Sequence, residues 1–159
     1  MVEIHPTAIV DPRAELAEGV RVGPYSIIEA DVVVGEGTWI GPHVFIARRT
    51  RVGRGCRIYH GVVLGTPPQH LGYHGEETWV EIGDRTVLRE YCTVHRATTH
   101  RWKTVVGSDC YLMAYVHVAH DCLIGKGVVM ANAVNLGGCL LYTSDAADEG
   151  LGVDLGGRR

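Results

Sequence analysis

Residues 20–40 read VRVGPYSIIEADVVVGEGTWI, and an aliphatic residue returns at every sixth position of this stretch. The same phase covers residues 4–64 and resumes at 82–94 and 106–136, and a small or β-branched residue stands four positions after each aliphatic one. A strict period of six is typical of a parallel β-helix, in which each hexad forms one side and three sides close a coil. Ordinary alternating strands would not keep one phase across two interruptions.

Two segments interrupt the repeat. Segment 66–79 leaves it just after one aliphatic position, and segment 98–104 leaves it just after another. Counting three hexads to a coil stacks four aliphatic residues on one face: Leu64, Val94, Val118 and Leu136. We therefore predict a single all-β domain over residues 1–138, a parallel β-helix of about seven coils. Both loops should emerge from the face that carries His120.

Length, charge and hydropathy exclude several classes of protein. The 159 residues suggest one domain, and their net charge of −3 gives no indication of nucleic-acid binding. No stretch approaches the roughly 20 apolar residues of a membrane-spanning helix. The start of the chain has neither a basic n-region nor an apolar h-region, so no signal peptide is expected.

The five cysteines are odd in number and contain no CxxC pair, which argues against a zinc knuckle or a redox pair. Four of them fall on the small-residue position of the repeat: Cys56, Cys92, Cys110 and Cys122. We predict that these four are buried as small hydrophobic residues. Free thiols are typical of a reducing compartment, so a cytoplasmic location is expected.

The stretch 117–125, HVAHDCLIG, contains the residues best suited to acid–base catalysis. His120 followed by Asp121 supplies a base and a carboxylate that can orient it, the pairing used in general-base catalysis at neutral pH. The repeat places His95 one strand spacing below this pair and Gly138 above it. By themselves these residues would equally fit a solvated corner or a metal site.

Five motifs are more specific than a generic hexapeptide repeat. They are Ile4–Val10, Val80–Arg85, Thr93–Arg96, His117–Asp121 and Leu136–Gly138. With them the chain resembles the UDP-N-acetylglucosamine O-acyltransferases that begin lipid A synthesis, members of the left-handed β-helix hexapeptide transferases. The resemblance covers residues 4–138, and it implies the left hand of the coil, which periodicity does not give.

The resemblance also implies a reaction, in which a 3-hydroxyacyl chain moves from the thioester of acyl carrier protein to the 3-hydroxyl of UDP-N-acetylglucosamine. His120 aligns with the general base, Asp121 with the carboxylate that orients it, and Gly138 with the residue whose backbone N–H faces the oxyanion. Four residues align with substrate contacts: Gln69, His70, His95 and His117. No metal or dissociable cofactor is implied, since the donor brings its own phosphopantetheine arm, and a homotrimer is expected.

Two positions depart from the common pattern of that family. His70 stands where members often carry Asp, and Gly72 stands where they often carry Lys. The acceptor sugar, UDP-N-acetylglucosamine or its 3-amino analogue, therefore stays open, as does the acyl length. The alternative is a zinc-dependent β-helix like the γ-class carbonic anhydrases, with His117 and His120 binding zinc between subunits and His95 as a third ligand.

The pattern changes at Cys139, where members of the family carry His. The repeat asks for aliphatic residues at positions 142 and 148 and finds Tyr142 and Asp148. We therefore expect residues 139–159 to be a non-native or disordered tail, and the C-terminal helical domain of the family to be absent. A further alternative follows, in which this chain is a truncated and inactive fragment.

Overall fold

The computed structural model describes residues 1–143 and consists of short strands numbered β1 to β21 along the chain. The first sheet contains β1 (Glu3–Ile4), β4 (Arg21–Val22), β7 (Trp39–Ile40), β10 (Arg57–Ile58), β13 (Val87–Leu88), β16 (Tyr111–Leu112) and β19 (Val129–Met130). The second contains β2 (Ile9–Val10), β5 (Ile27–Ile28), β8 (Phe45–Ile46), β11 (Val63–Thr66), β14 (Thr93–His95), β17 (His117–Val118) and β20 (Asn135–Leu136). The third contains β3 (Glu15–Leu16), β6 (Val32–Val34), β9 (Thr50–Val52), β12 (Trp79–Ile82), β15 (Lys103–Val106), β18 (Leu123–Ile124) and β21 (Leu141–Tyr142).

The chain visits the three sheets in turn, and every strand pairs in parallel with the strand one coil away. Val22 pairs with Ile40, three hexads further on, and that spacing holds wherever no loop intervenes. Each sheet has seven strands, which confirms seven coils of three hexads. Within residues 1–143 there is no α-helix, so no helix there could cross a membrane.

The repeated aliphatic residues form the core. Leu64 pairs with Val94, Val94 with Val118, and Val118 with Leu136, so the face predicted from the sequence is confirmed. These four side chains are at most 1% exposed. Burial of such side chains is the main favourable contribution to folding, and here it is spread evenly along the coil axis.

The small-residue position does more than fill space. In most coils where it holds Ser, Thr or Cys, the side chain donates to a backbone carbonyl of the next coil: Thr38 to Gly53 at 2.8 Å, for example, and Cys110 to Gly125 at 3.1 Å. Thr50 donates instead to the Ala47 carbonyl of its own coil. Cys56, Cys92, Cys110 and Cys122 are buried and free, as predicted, but their thiols also donate hydrogen bonds. The position therefore selects a small side chain that can satisfy a corner carbonyl.

Glycine follows many of the aliphatic positions, where it could relax the backbone at a corner. Positive φ angles fall instead mostly two residues later, on residues such as Tyr25 and Asp109. A Cβ added at Gly107 would lie 2.7 Å from the carbonyl carbon of Gly125, so glycine is required there because the next coil lies against it.

The three sheets form the three sides of each coil and meet at three corners, and two of these corners differ in their residues. The glycine corner lies between the third and first sheets and contains one glycine from each of five coils: Gly35, Gly53, Gly83, Gly107 and Gly125. The site corner lies between the second and third sheets. Both loops leave there, over residues 67–78 and 96–102; the first is slightly shorter than the segment expected from the sequence, and the second begins and ends earlier than expected. They emerge on the predicted face, beside the end of β17.

The coil continues past the boundary expected at residue 138. Strand β21 pairs with β18, so that Leu141 lies against Leu123 and Tyr142 against Ile124. Tyr142 occupies the aliphatic position of its hexad and is 4% exposed, because its ring is wide enough to cover the end of the core. The remaining part of the expected tail, residues 144–159, lies outside the described residues.

Candidate active site

His120 and Asp121 lie at the site corner directly after β17. Nδ1 of His120 and Oδ2 of Asp121 are 2.8 Å apart, and the His120 side chain is 15% exposed while that of Asp121 is fully buried. With the carboxylate ionised, Nδ1 carries the proton of a neutral imidazole, and Nε2 is then the basic nitrogen. The pair has the geometry of a general base with its orienting carboxylate, as the sequence predicted.

Four hydrogen bonds from loop 96–102 surround the Asp121 carboxylate. The Thr98 amide donates to both oxygens at 3.1 and 3.2 Å, its hydroxyl donates to Oδ2 at 2.6 Å, and the Arg101 amide donates to Oδ1 at 2.9 Å. Burial alone would raise the pKa of Asp121, but the hydrogen bonds from Thr98, His120 and Arg101 outweigh it and hold that pKa below its usual value. Asp121 is therefore a buried carboxylate that stays ionised.

Gly138 packs directly against the imidazole of His120. A Cβ added at this position would overlap the ring, 2.5 Å from Nε2. The backbone of the following coil is held in line by the Cys139 amide, which donates to the His120 carbonyl at 2.9 Å. Only glycine therefore fits between that backbone and the base.

Two further histidines lie on the second sheet beside the pair. The rings of His95 and His117 meet edge to face at 4.7 Å, and Nδ1 of His117 lies 2.6 Å from the hydroxyl of Thr93. Burial, with a smaller effect of His117 and His120, lowers the pKa of His95 to about 4. Burial, with His120, also lowers the pKa of His117. Both rings are consequently neutral near pH 7, and Nδ1 of His95 is buried without a hydrogen-bond partner.

Loop 67–78 brings one of the predicted substrate residues to the site. The ring of His70 lies 5.2 Å from that of His120, edge to face, and the Gly72 amide donates to Nδ1 of His70 at 3.1 Å. Gln69, beside it, is exposed. The structure therefore brings His70, His95, His117, His120, Asp121 and Gly138 together, and it leaves Gln69 at the loop surface.

Buried Arg96 ties that loop to the β-helix. Its Nε donates to the Tyr73 hydroxyl at 3.0 Å and its Nη1 donates to the Gly65 carbonyl at 2.8 Å. The Tyr73 hydroxyl in turn donates to the Glu76 carbonyl at 2.8 Å. These bonds fix the loop that carries His70 with respect to the coil that carries His95.

Sequence reasoning missed the residues that hold the pair in place. Thr98 and the Arg101 amide bind Asp121, the Thr104 hydroxyl accepts from the Asp121 amide at 2.9 Å, and Thr93 contacts His117. Thr104 had a signal, because it occupies the small-residue position one coil below. Thr98 and Arg101 had none, since they belong to a loop whose path the repeat does not specify.

One group of three potential metal ligands occurs in the described range 1–143, with ligand atoms within 4.8 Å of one another. It consists of His120, Asp121 and Cys139. Both Asp121 oxygens already accept hydrogen bonds, so the group is satisfied as it stands. The three histidines of the zinc alternative, His95, His117 and His120, do not form such a group within one chain over that range.

Comparison with known proteins identifies the family. The model of the bacterial transferase hexapeptide (six repeats) matches residues 31–66 and 103–138. The acyl-[acyl-carrier-protein]–UDP-N-acetylglucosamine O-acyltransferase of Sulfurihydrogenibium is 64% identical over 125 residues, which are 78% of this chain and 46% of that protein.

Two solved structures have the same fold. LpxA from Acinetobacter baumannii superimposes with a TM-score of 0.86 at 42% identity, covering 87% of this chain and 54% of that one. LpxA from Bacteroides fragilis, a UDP-N-acetylglucosamine acyltransferase, gives 0.85 at 38% identity, covering 86% and 54%. The chain thus spans about half the length of the relatives it matches.

The fold and the repeat define a left-handed parallel β-helix of the bacterial hexapeptide transferase class. Within that class, the chain belongs to the family of the acyl-[acyl-carrier-protein]–UDP-N-acetylglucosamine O-acyltransferases, of which it spans a part. The resemblance predicted from the sequence motifs is confirmed.

Proposed function

We propose that the protein transfers a (R)-3-hydroxyacyl chain from acyl carrier protein to the 3-hydroxyl of UDP-N-acetylglucosamine in lipid A synthesis. The names of its relatives give the donor and the acceptor class. The observation that carries the proposal is the ring of His120, which is hydrogen-bonded to buried Asp121 on one side and packed against Gly138 on the other. With its Nδ1 bonded to Asp121 and its ring packed against Gly138, His120 can present only Nε2 to a substrate.

The reaction follows from that arrangement. Nε2 of His120 takes the proton of the sugar 3-hydroxyl while its oxygen attacks the thioester carbon. The ionised Asp121 stabilises the imidazolium that forms, and the Gly138 N–H faces the oxyanion of the tetrahedral intermediate. The intermediate collapses with cleavage of the C–S bond. The proton then passes from His120 to the departing phosphopantetheine thiolate, so the base is restored.

The neighbouring residues are proposed to bind the substrates. His95 and His117 are neutral near pH 7, so neither opposes protonation of His120 during the reaction. Gln69 and His70 reach toward the sugar nucleotide from loop 67–78, and His70 is already beside the base. His70 stands where the family often carries Asp, so the choice between the sugar and its 3-amino analogue remains part of the test.

The proposal includes three features that come from the resemblance. The acyl donor carries its own phosphopantetheine arm, so the protein itself is proposed to need neither metal nor dissociable cofactor. Assembly as a homotrimer and a cytoplasmic location are proposed on the same ground. Free buried cysteines are compatible with a reducing compartment.

The test is an acyl-transfer assay with 3-hydroxyacyl carrier protein and, in parallel, UDP-N-acetylglucosamine or its 3-amino analogue. The 159-residue chain is assayed beside a chimera in which residues 1–138 are followed by the remaining half of the Sulfurihydrogenibium relative. We expect turnover by the chimera and a loss of about 10²- to 10⁴-fold in His120→Ala. His100→Ala, an exposed residue of loop 96–102, is the control and should keep full activity.

Two outcomes would contradict the proposal. One is a His120→Ala chimera within a few-fold of its parent, which would remove the base from the mechanism. The other is stoichiometric zinc in the purified protein together with carbonate dehydration, which would favour the carbonic anhydrase alternative.

A further inference from the structure

The carboxylate that orients His120 is itself held by loop 96–102, and Thr98 makes most of that contact. Its amide lies 3.1 and 3.2 Å from the two oxygens, and its hydroxyl lies 2.6 Å from Oδ2. Oδ2 is also the oxygen that bonds Nδ1 of His120. In the described part of the chain, Thr98 and His120 supply the side-chain hydrogen bonds to this carboxylate.

The direction of the Thr98 hydroxyl proton is fixed. The amide of His100 donates to the Thr98 oxygen at 3.2 Å, and the carbonyl of Thr98 accepts from the Trp102 amide at 3.0 Å. Because the ionised Asp121 carboxylate can only accept, the single proton of the Thr98 hydroxyl points to it, while the hydroxyl oxygen accepts from His100. A short hydrogen bond to an ionised acceptor is among the stronger kinds in proteins.

The geometry has a consequence for the base. Rotation of the Asp121 carboxylate about its last bond would break the Thr98 hydroxyl contact and the His120 contact at once, because both end on Oδ2. The plane of the carboxylate therefore fixes the plane of the imidazole. Small displacements of a catalytic base reduce turnover steeply, since proton transfer needs close alignment.

We propose that Thr98 is a positioning residue, whose hydroxyl acts through Asp121 to hold the imidazole of His120 in its reactive orientation. The role rests on the acyl transfer proposed above. The competing explanation is structural: Thr98 and Asp121 would only close loop 96–102, and the orientation of His120 would not depend on the hydroxyl.

The experiment compares Thr98→Val, which removes the hydroxyl at nearly constant volume, with Thr98→Ser, which restores it. Thr99→Val is the matched control, because Thr99 is the exposed neighbour in the same loop. In the chimera we expect Thr98→Val to lose about tenfold in kcat with KM within about twofold, as for a hydrogen bond to a charged group. Thr98→Ser and Thr99→Val should stay near the parent.

A second measurement does not depend on turnover. In the 159-residue chain labelled with ¹⁵N-histidine, the Nδ1 proton of His120 should give an NMR signal that persists in the parent, in Thr98→Ser and in Thr99→Val. It should broaden into exchange with water in Thr98→Val. If Thr98→Val does not fold, Thr98→Cys, whose thiol is a weaker donor, replaces it in both measurements.

The outcomes separate the two proposals. Loss of the Nδ1 signal in Thr98→Val without acyl transfer by any variant would support the positioning role and overturn the proposed reaction. An unchanged signal would overturn the positioning role, whether or not kcat falls, because Thr98 would then not act through His120. Equal kcat in Thr98→Val and Thr99→Val in an active chimera would overturn it as well.

Discussion

The glycine corner and the site corner follow the same six-residue repeat and are used in opposite ways. At the glycine corner successive coils approach so closely that a Cβ at Gly35 would lie 2.6 Å from the carbonyl carbon of Gly53. At the site corner, Thr66 and His95 end strands after which the chain departs in two loops, and the carboxylate of Asp121 is buried on the coil itself. At one corner the close approach of two coils requires glycine, and at the other polar side chains are buried.

The difference shows what a regular scaffold contributes to a site. Parallel pairing brings the ends of β11, β14 and β17 into register, so two loops and a base that are distant in sequence become neighbours. At the glycine corner the coils keep a constant spacing. At the site corner the same spacing places His95, His120 and Gly138 on successive coils, close to one another. The candidate site lies at the corner where loops interrupt the coil.

The largest effect is expected from filling the space between the base and the next coil. Gly138→Ala places a methyl group in the volume of the His120 ring, so the imidazole must leave its position beside Asp121. We expect kcat of the chimera to fall about 10²-fold or more, comparable to loss of the base. His100→Ala, an exposed residue of loop 96–102, is the control. Equal rates in the two variants would show that the contact with Gly138 does not position the base.

Next in size is a stability change at the glycine corner. Gly107→Ala would place a methyl group 2.7 Å from the Gly125 carbonyl carbon, and backbone cannot move aside as a side chain can. We expect the free energy of unfolding in urea to fall by about 3 kcal/mol. Gly125→Ala, at the same repeat position but with its nearest neighbouring atom at 3.3 Å, is the control and should cost less. A Gly107→Ala chain as stable as this control would show that the coils can separate.

A smaller loss of stability should follow from removing one corner hydroxyl and its two hydrogen bonds. The Thr86 hydroxyl donates to the Gly107 carbonyl at 2.6 Å and accepts from the Cys110 amide at 3.2 Å. Thr86→Val keeps the shape and loses both, so about 1 kcal/mol is expected in the urea midpoint analysis. Thr99→Val, an exposed threonine, should change stability by less than half as much. A neutral Thr86→Val would mean that the small-residue position selects for size alone.

The last expected effect concerns the pH dependence of stability at the site corner. The pKa of His95 is about 4 in the folded chain, against 6.5 as its ordinary value, because burial disfavours the charged ring. Between these two pH values the unfolded chain binds a proton on His95 and the folded chain does not. The contribution of His95 to the free energy of unfolding is therefore complete above about pH 6.5 and is lost as the pH is lowered toward 4. His95→Gln should reduce the difference between urea midpoints at pH 7 and pH 4.5. His100→Gln, on the exposed loop, should leave it unchanged, and an unchanged difference in His95→Gln would contradict the burial argument.

Much of the fold followed from the chain alone, because a hexad repeat is a local rule applied many times. The phase of Val22, Ile28 and Val34 specified which side chains point inward, and the count of three hexads placed both loops on the face of His120. The motif at 117–121 specified the base and its carboxylate. The break expected at Tyr142 did not occur within the described residues, since an aromatic ring can end a column that aliphatic residues began.

Other features depended on contacts between coils, which no local pattern records. The reason for glycine at position 107 is the backbone of position 125, and the reason for glycine at 138 is the ring of His120. Loop 96–102 has no repeat to guide it, so the hydrogen bonds from Thr98 and Arg101 to Asp121 appear only when the chain is folded. The repeat specifies the coil, because periodic burial is set by each residue's own hydrophobicity, and the motif names the candidate base. How that residue is held follows only from the folded chain, because the donors that fix its carboxylate come from a different coil.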